Sequence, residues 1–357
     1  MSLDPDLGNW LDDNASALDA GAGDPATLLK RLADAGLFRI GAPVELGGSS
    51  GETSDAVDAL ARVSERSLAA GFVFWGHRTY IEYLLQSPNA ALRDRHLDGL
   101  FDGSLAGATG LSNAMKFLAG LEELQIAATS AEGGFVLDGK MPWVTNLQVG
   151  NYLVAAAVQG PDGKPFVASI AHDGAGVERS PDLDLMAMRS TATAAVKLSS
   201  VVLPAEDVIS DDAKNWLPAV RPAFLGLQCG MSIGVARRSL AEAAAAAGSG
   251  RHVLDPEIDA LGDRLAASVT ALYDGLDEGV FRTRAAELFR IRIALCEAAT
   301  EAVQLELQAS GGKCYLVAPG EGFARRWREA AFLPIITPSI VQLKNALAGQ
   351  VQTGRAA

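Results

Sequence analysis

The stretch Gly133-Gly-Phe-Val-Leu-Asp-Gly-Lys-Met-Pro-Trp-Val-Thr-Asn146 decides how the chain is read. Two apolar runs flank Asp138-Gly139, a dipeptide that favours a tight hairpin because both residues tolerate positive φ. Further on, Asn151-Tyr-Leu-Val-Ala-Ala-Ala-Val-Gln159 and Pro165-Phe-Val-Ala-Ser-Ile-Ala-His-Asp173 flank Pro161-Asp162-Gly163, a second turn signal. Ala195-Val-Lys-Leu-Ser-Ser-Val-Val-Leu-Pro204 alternates and stops at a proline. Connections this short pair strands antiparallel, so residues 105–212 are expected to form a middle antiparallel β domain rather than a βαβ sheet.

Helical patterns lie on both sides of it. Asp24 and Pro25 are a cap and a first helical residue, and Leu28, Leu29, Leu32, Ala35 and Leu37 follow at near-helical spacing until Gly36 ends the turn. After Gly47-Gly48, residues Ala56, Val57, Leu60, Ala61 and Val63 repeat at threes and fours. Residues 66–86 are apolar on nearly every side, the mark of a buried helix, and Ala90 to Gly103 is amphipathic. Residues 1–104 therefore read as a helical N-terminal domain. On the far side, 221–248, 256–282, 283–308, 321–332 and 338–349 are helical. In 283–308, Leu288, Ile291, Leu295, Ala298, Ala302 and Leu305 share one face, so residues 213–357 read as a C-terminal helical bundle domain, a four-helix bundle in an α+β chain.

Composition excludes several classes. The 357 residues carry 30 Lys and Arg against 43 Asp and Glu, a net charge of −13 that opposes both a nucleic-acid backbone and an anionic membrane surface. Three cysteines and four scattered histidines show no metal-ligand or disulfide spacing. The acidic start Met1-Ser-Leu-Asp-Pro-Asp6 is not a signal peptide, so a cytoplasmic location is expected. No Gly-x-Gly-x-x-Gly, Gly-Lys-Ser/Thr or Gly-x-Ser-x-Gly pattern occurs where those folds need it.

Four stretches in order resemble the acyl-CoA dehydrogenase family of flavoproteins: Gly36 to Gly48, Gly107-Ala-Thr-Gly-Leu-Ser-Asn113, Phe135 to Asn146, and Gln308-Ala-Ser-Gly-Gly-Lys-Cys-Tyr315 followed by Arg325-Arg-Trp-Arg-Glu329. The resemblance covers residues 25 to 349 and implies an FAD-dependent oxidoreductase. It implies α,β-desaturation of an acyl-CoA thioester with hydride transfer to flavin, an electron-accepting flavoprotein partner, and a homo-oligomer, dimer or tetramer. It assigns Trp143 to the face of the flavin ring and Thr145 to a hydrogen bond near the reactive flavin nitrogen. Thr109 and Ser112 fall where the family contacts flavin, its pyrophosphate or substrate. Gln308 and Gly312 fall where a neighbouring subunit meets the flavin tail. Plainer readings stand beside these: a sheet-core tryptophan at 143, a polar turn at 109–112, a helix cap at Gly311-Gly312, and packing ion pairs rather than a CoA phosphate site at Arg325–Arg328.

The departures are as informative. One family position for the catalytic carboxylate falls on Thr337 and another near Phe224, with Val220 the alternative, and neither residue type takes up a proton at neutral pH. The catalytic base is thus unassigned. The family's Arg-x-x-Phe-Gly element is absent, with Arg251 its nearest stand-in. A flavin-dependent monooxygenase or hydroxylase of the same fold, which needs no such carboxylate, and a degenerate, non-catalytic member are the alternatives.

Overall fold

A computed structural model describes residues 3–118, 120, 122–246 and 250–354. Five helices come first: α1 (Pro5–Ala20), α2 (Pro25–Asp34), α3 (Thr53–Arg66), α4 (Leu68–Leu85) and α5 (Ala90–Phe101). Strand β1 (Ala106–Thr109) and the short α6 (Ser112–Leu118) lead into β2 (Ile126–Ala131), β3 (Gly134–Val144), β4 (Tyr152–Gln159), β5 (Pro165–Ala171), β6 (Val177–Arg179), β7 (Ala194–Pro204) and β8 (Val208–Ser210). Helices α7 (Ala213–Ala245), α8 (Asp255–Asp277), α9 (Ala285–Ser310), α10 (Glu321–Phe332) and α11 (Ile340–Gly354) follow.

Helix α4 is the centre of the molecule. Every residue from Leu68 to Leu84 is buried, as its all-round apolar sequence predicts. Each large apolar side chain so enclosed contributes about 1.5–3 kcal/mol. Its N-terminus is satisfied twice: Ser67 Oγ accepts the Ala70 N–H, and the Glu329 carboxylate accepts the Leu68 N–H at 3.0 Å.

The strands form one sheet in the order β6-β7-β3-β2-β4-β5-β8, with β1 added against β4. Five pairings are antiparallel; β1 with β4, and the single β2–β4 pair Ala127–Gln159, are parallel, so the sheet is mixed. The turn expected at Pro161-Asp162-Gly163 joins β4 to β5, closed by Gly160 N–H donating to Lys164 O and by Asp162 Oδ1 accepting the Lys164 N–H. The turn expected at Asp138-Gly139 is corrected. Strand β3 runs straight through it, with a register shift against β7 between Leu137 and Gly139. Asp138 Oδ1 instead accepts the Ser200 N–H at 2.8 Å, and Gly139 is required because a Cβ there would stand 2.3 Å from the Gln125 carbonyl. The turn lies earlier, at Glu132-Gly133.

Helix α7 begins well before its apolar pattern, at Ala213, because Asp212 accepts the Asn215 N–H at 3.2 Å. It continues through Pro218 and Pro222, which forgo their ladder hydrogen bonds. Gly230 and Gly234 let α3 approach it closely: a Cβ would meet Val57 O at 2.8 Å and Ala61 O at 2.4 Å. By length and composition the stretch Glu321–Gly349 is apolar enough to cross a membrane. In the fold it is two helices, α10 and α11, and α10 carries buried ion pairs into the core.

Candidate functional site

A cavity of about 290 Å³ opens between α4, the ends of β1 and β3, α6 and the segment after α10. Four of the six residues singled out from the sequence line it together: Thr109, Ser112, Trp143 and Thr145. Thr109 ends β1 and is buried, its Oγ1 2.9 Å from the Tyr83 hydroxyl. Burial pushes the Tyr83 phenol up, so it stays protonated and available as a donor. Thr145 is buried and donates to the Thr191 carbonyl at 3.2 Å. Its methyl group fills the space left by Gly76, where a Cβ would stand 2.9 Å away. Trp143 is 61% exposed, at the rim, so the plainer reading of a sheet-core aromatic does not hold. Gly110 holds the floor open: a Cβ would fall 2.4 Å from Met141 Sδ.

The inner wall is aromatic, a feature with no motif in the chain to mark it as a site. Phe72 and Trp75, one turn apart on α4, stack at 5.5 Å with an interplanar angle of 3°, and Phe332 meets Phe72 edge-on at 5.0 Å. Trp75 Nε1 donates to the Phe224 carbonyl. The i, i+3 spacing of Phe72 and Trp75 predicts a shared face, but an all-apolar helix does not say which face meets a cavity.

Thr337, Phe224 and Val220, where the family resemblance puts a base, occupy different surroundings. Thr337 lines the cavity; Phe224 packs at 5.4 Å against Trp75; Val220 is buried on α7. Among the described lining residues the one carboxylate is Glu122, which accepts from Lys116 Nζ at 2.7 Å and from Asn113. The hydrogen bond from Lys116 lowers its pKa, and with Asn113 it leaves both carboxylate oxygens already engaged. Lys116 and Lys140 are the lining cations. No group of three or more His, Cys, Asp or Glu side chains that could hold a metal ion exists among the described residues.

The remaining candidates lie elsewhere. Gln308 is exposed on the last turn of α9, and Gly312 is exposed just beyond Gly311, which caps that helix. Tyr315 and Val317 beside them are 88% and 94% exposed. Arg251 pairs with Asp255 at 2.7 Å. The basic cluster on α10 is used for packing: Arg325 pairs with Glu329, Arg326 with Glu306 and Arg328 with Asp19.

Residues 9–104 match the family model for the acyl-CoA dehydrogenase N-terminal domain. Benzylmalonyl-CoA dehydrogenase of Aromatoleum aromaticum is 25% identical over 246 residues, covering 68% of this chain and 65% of that protein, so the match spans under two thirds of the relative's length. The structure of butyryl-CoA dehydrogenase from Megasphaera elsdenii superposes with a TM-score of 0.84 at 16% identity over 97% of this chain and 95% of that one. KijD3, in complex with FMN and dTDP-3-amino-2,3,6-trideoxy-4-keto-3-methyl-D-glucose, superposes with a TM-score of 0.77 at 20% identity over 98% and 91%. The chain therefore has the fold of the acyl-CoA dehydrogenases, and its residues 9–104 match that family's N-terminal domain.

Proposed function

We propose that this chain is a flavin-dependent monooxygenase of the acyl-CoA dehydrogenase fold, with the flavin ring and a small substrate sharing the cavity. The observation that carries this is the lining itself: a wall of Phe72, Trp75 and Phe332, hydroxyls from Thr109, Ser112 and Thr145, and, among the described lining residues, a single carboxylate, Glu122, whose two oxygens are already held by Lys116 and Asn113. Desaturation removes a proton as well as a hydride, and the proton needs an acceptor. Oxygen insertion does not: one oxygen atom enters the substrate, the other leaves as water, and the two electrons come from reduced flavin supplied by a separate reductase.

The residues fit a flavin. Trp143 offers a large rigid face at the rim, Gly110 leaves room for a close approach, and the buried hydroxyls can orient a heteroaromatic edge. Bound there, flavin supplies the redox chemistry that no side chain in the cavity can. The protein's part is to orient both molecules, exclude water with its aromatic wall and hold the cavity's shape. FAD is the form we assign. We also propose a homo-oligomer, because exposed Gly311-Gly312, Tyr315 and Val317 form an apolar surface suited to a second copy that would bring Gln308 and Gly312 to a neighbouring flavin; the mass in solution tests this.

A second reading, desaturation of an acyl thioester, is favoured by the names of the dehydrogenase relatives. The two separate under anaerobic conditions. Flavin-loaded protein mixed without oxygen with a panel of acyl-CoA thioesters is expected to keep its yellow colour; bleaching would establish desaturation instead. Trp143→Ala is expected to weaken flavin binding about tenfold or more, read by titration of flavin fluorescence. Unchanged affinity would remove Trp143 from the site, and a protein that binds no flavin at all would overturn both readings.

A further inference from the structure

We propose that Arg292 is a positioning residue for the cavity: a single buried guanidinium that holds both ends of the wall segment Leu333–Thr337 from behind. Arg292 sits on α9 with no exposed surface. Its three hydrogen-bond acceptors are all uncharged. Nη2 donates to the Leu333 carbonyl at 2.8 Å, Nε to Gln228 Oε1 at 2.9 Å, and Nη1 to Ser232 Oγ at 3.3 Å. Gln228, on α7 and also fully buried, passes the constraint on, its Nε2 donating to the Thr337 carbonyl at 3.1 Å.

The chemistry fixes the direction of this relay. A guanidinium only donates, so the face of the Gln228 amide turned to Arg292 must be its oxygen, and the nitrogen then faces the Thr337 carbonyl. The opposite amide orientation would set donor against donor at one end and acceptor against acceptor at the other. Both held carbonyls precede a proline, Pro334 and Pro338, so the segment is tied where its backbone is already stiff. Between the ties, Ile335, Ile336 and Thr337 line the cavity, while Arg292 and Gln228 do not.

Packing alone gives no reason for a cation here. An apolar side chain of similar volume in place of a buried charge is often neutral or stabilising. A planar fork, by contrast, reaches three acceptors in fixed directions at once. The guanidinium therefore serves geometry: it fixes where the wall formed by Ile335, Ile336 and Thr337 stands, and hence the shape left for substrate. That consequence rests on the cavity being the reaction site, whereas the clamp does not, so it is tested without any ligand.

The test is hydrogen–deuterium exchange, followed by mass spectrometry, on the full chain and two variants. Gln228→Glu keeps an acceptor for Arg292 and turns a carboxylate oxygen, in place of the N–H, toward the Thr337 carbonyl. The amides of Ile335 to Thr337 are expected to exchange about tenfold faster, the effect of one lost hydrogen bond, while those in the middle of α7 and α9 keep their wild-type rates. Arg292→Lys keeps the charge but cannot span three acceptors, and is expected to release both ends; if it does not fold, Gln228→Glu decides alone. Unchanged exchange at 335–337 in Gln228→Glu would overturn the proposal. So would a uniform rise along α7 and α9, which would make the pair merely structural. Either result leaves the flavin reading untouched.

Discussion

Glu329→Ala is expected to lower the folding free energy by about 3–5 kcal/mol, the cost of breaking a buried ion pair from one side. Glu329 is 1% exposed on α10, and its Oε1 accepts from Arg325 Nη1 at 2.7 Å and from the Leu68 backbone N–H at 3.0 Å. Alanine would leave a guanidinium buried without its partner and an orphaned donor at the start of α4. Because α4 carries Phe72 and Trp75, the damage should reach the cavity wall as well. Two further variants check the cause. Glu329→Gln keeps an acceptor but no charge and should fall between wild type and alanine. The double change Arg325→Met with Glu329→Leu removes both charges together and should cost less than Glu329→Ala alone. Urea midpoints read all three. A Glu329→Ala loss under about 1 kcal/mol would show that water reaches the pair and solvates it.

What the sequence disclosed and what it hid divide by range. The buried α4 was legible because an apolar helix has no face left for water, and the β4–β5 turn because Pro161-Asp162-Gly163 acts within its own residues. Thr109, Ser112, Trp143 and Thr145 were legible as a group because two short local stretches carry them, and the fold brings those stretches to one cavity. Asp138-Gly139 misled for the same local reason: the dipeptide suits a hairpin equally well, and the pairing of β3 with β7, some 60 residues away, turned it into a bulge. The aromatic wall needed Phe332 beside Phe72, and the Arg292 relay needed Gln228 from another helix. Neither pairing leaves a periodicity or a motif in the chain. The α10 arginines could be read as phosphate ligands until Glu306 and Asp19 appeared opposite them.

The same logic makes His77 the group through which pH should act on both fold and site. It is fully buried on α4, with Phe38 at 4.1 Å between ring centroids. Nε2 donates to the Leu100 carbonyl at 2.8 Å, and Nδ1 accepts the Gly107 N–H at 3.0 Å, which requires the neutral ring. Burial lowers its pKa from 6.5 to about 4. In the unfolded chain the ring therefore takes up a proton at higher pH than in the folded one. The stability it contributes is complete above pH 6.5, declines as the pH falls below that value, and is lost once the pH passes about 4. The whole range is worth about 3 kcal/mol, and the step from pH 7.5 to 5 about 2 kcal/mol. Gly107 lies two residues before Thr109, and Asn146, whose Nδ2 donates to the Gly107 carbonyl at 2.9 Å, follows Thr145. Protonating His77 would cost the Gly107 N–H its acceptor and loosen the strand ends that carry both hydroxyls, so bound flavin should be released as the fold weakens. His77→Gln supplies a donor and an acceptor but does not titrate. It should be less stable than wild type at pH 7.5, with the loss between pH 7.5 and 5 reduced by about 2 kcal/mol in urea unfolding. Wild type and variant losing equal stability over that interval would place the acid sensitivity elsewhere, with half-buried His96, also lowered by burial, the next group to test.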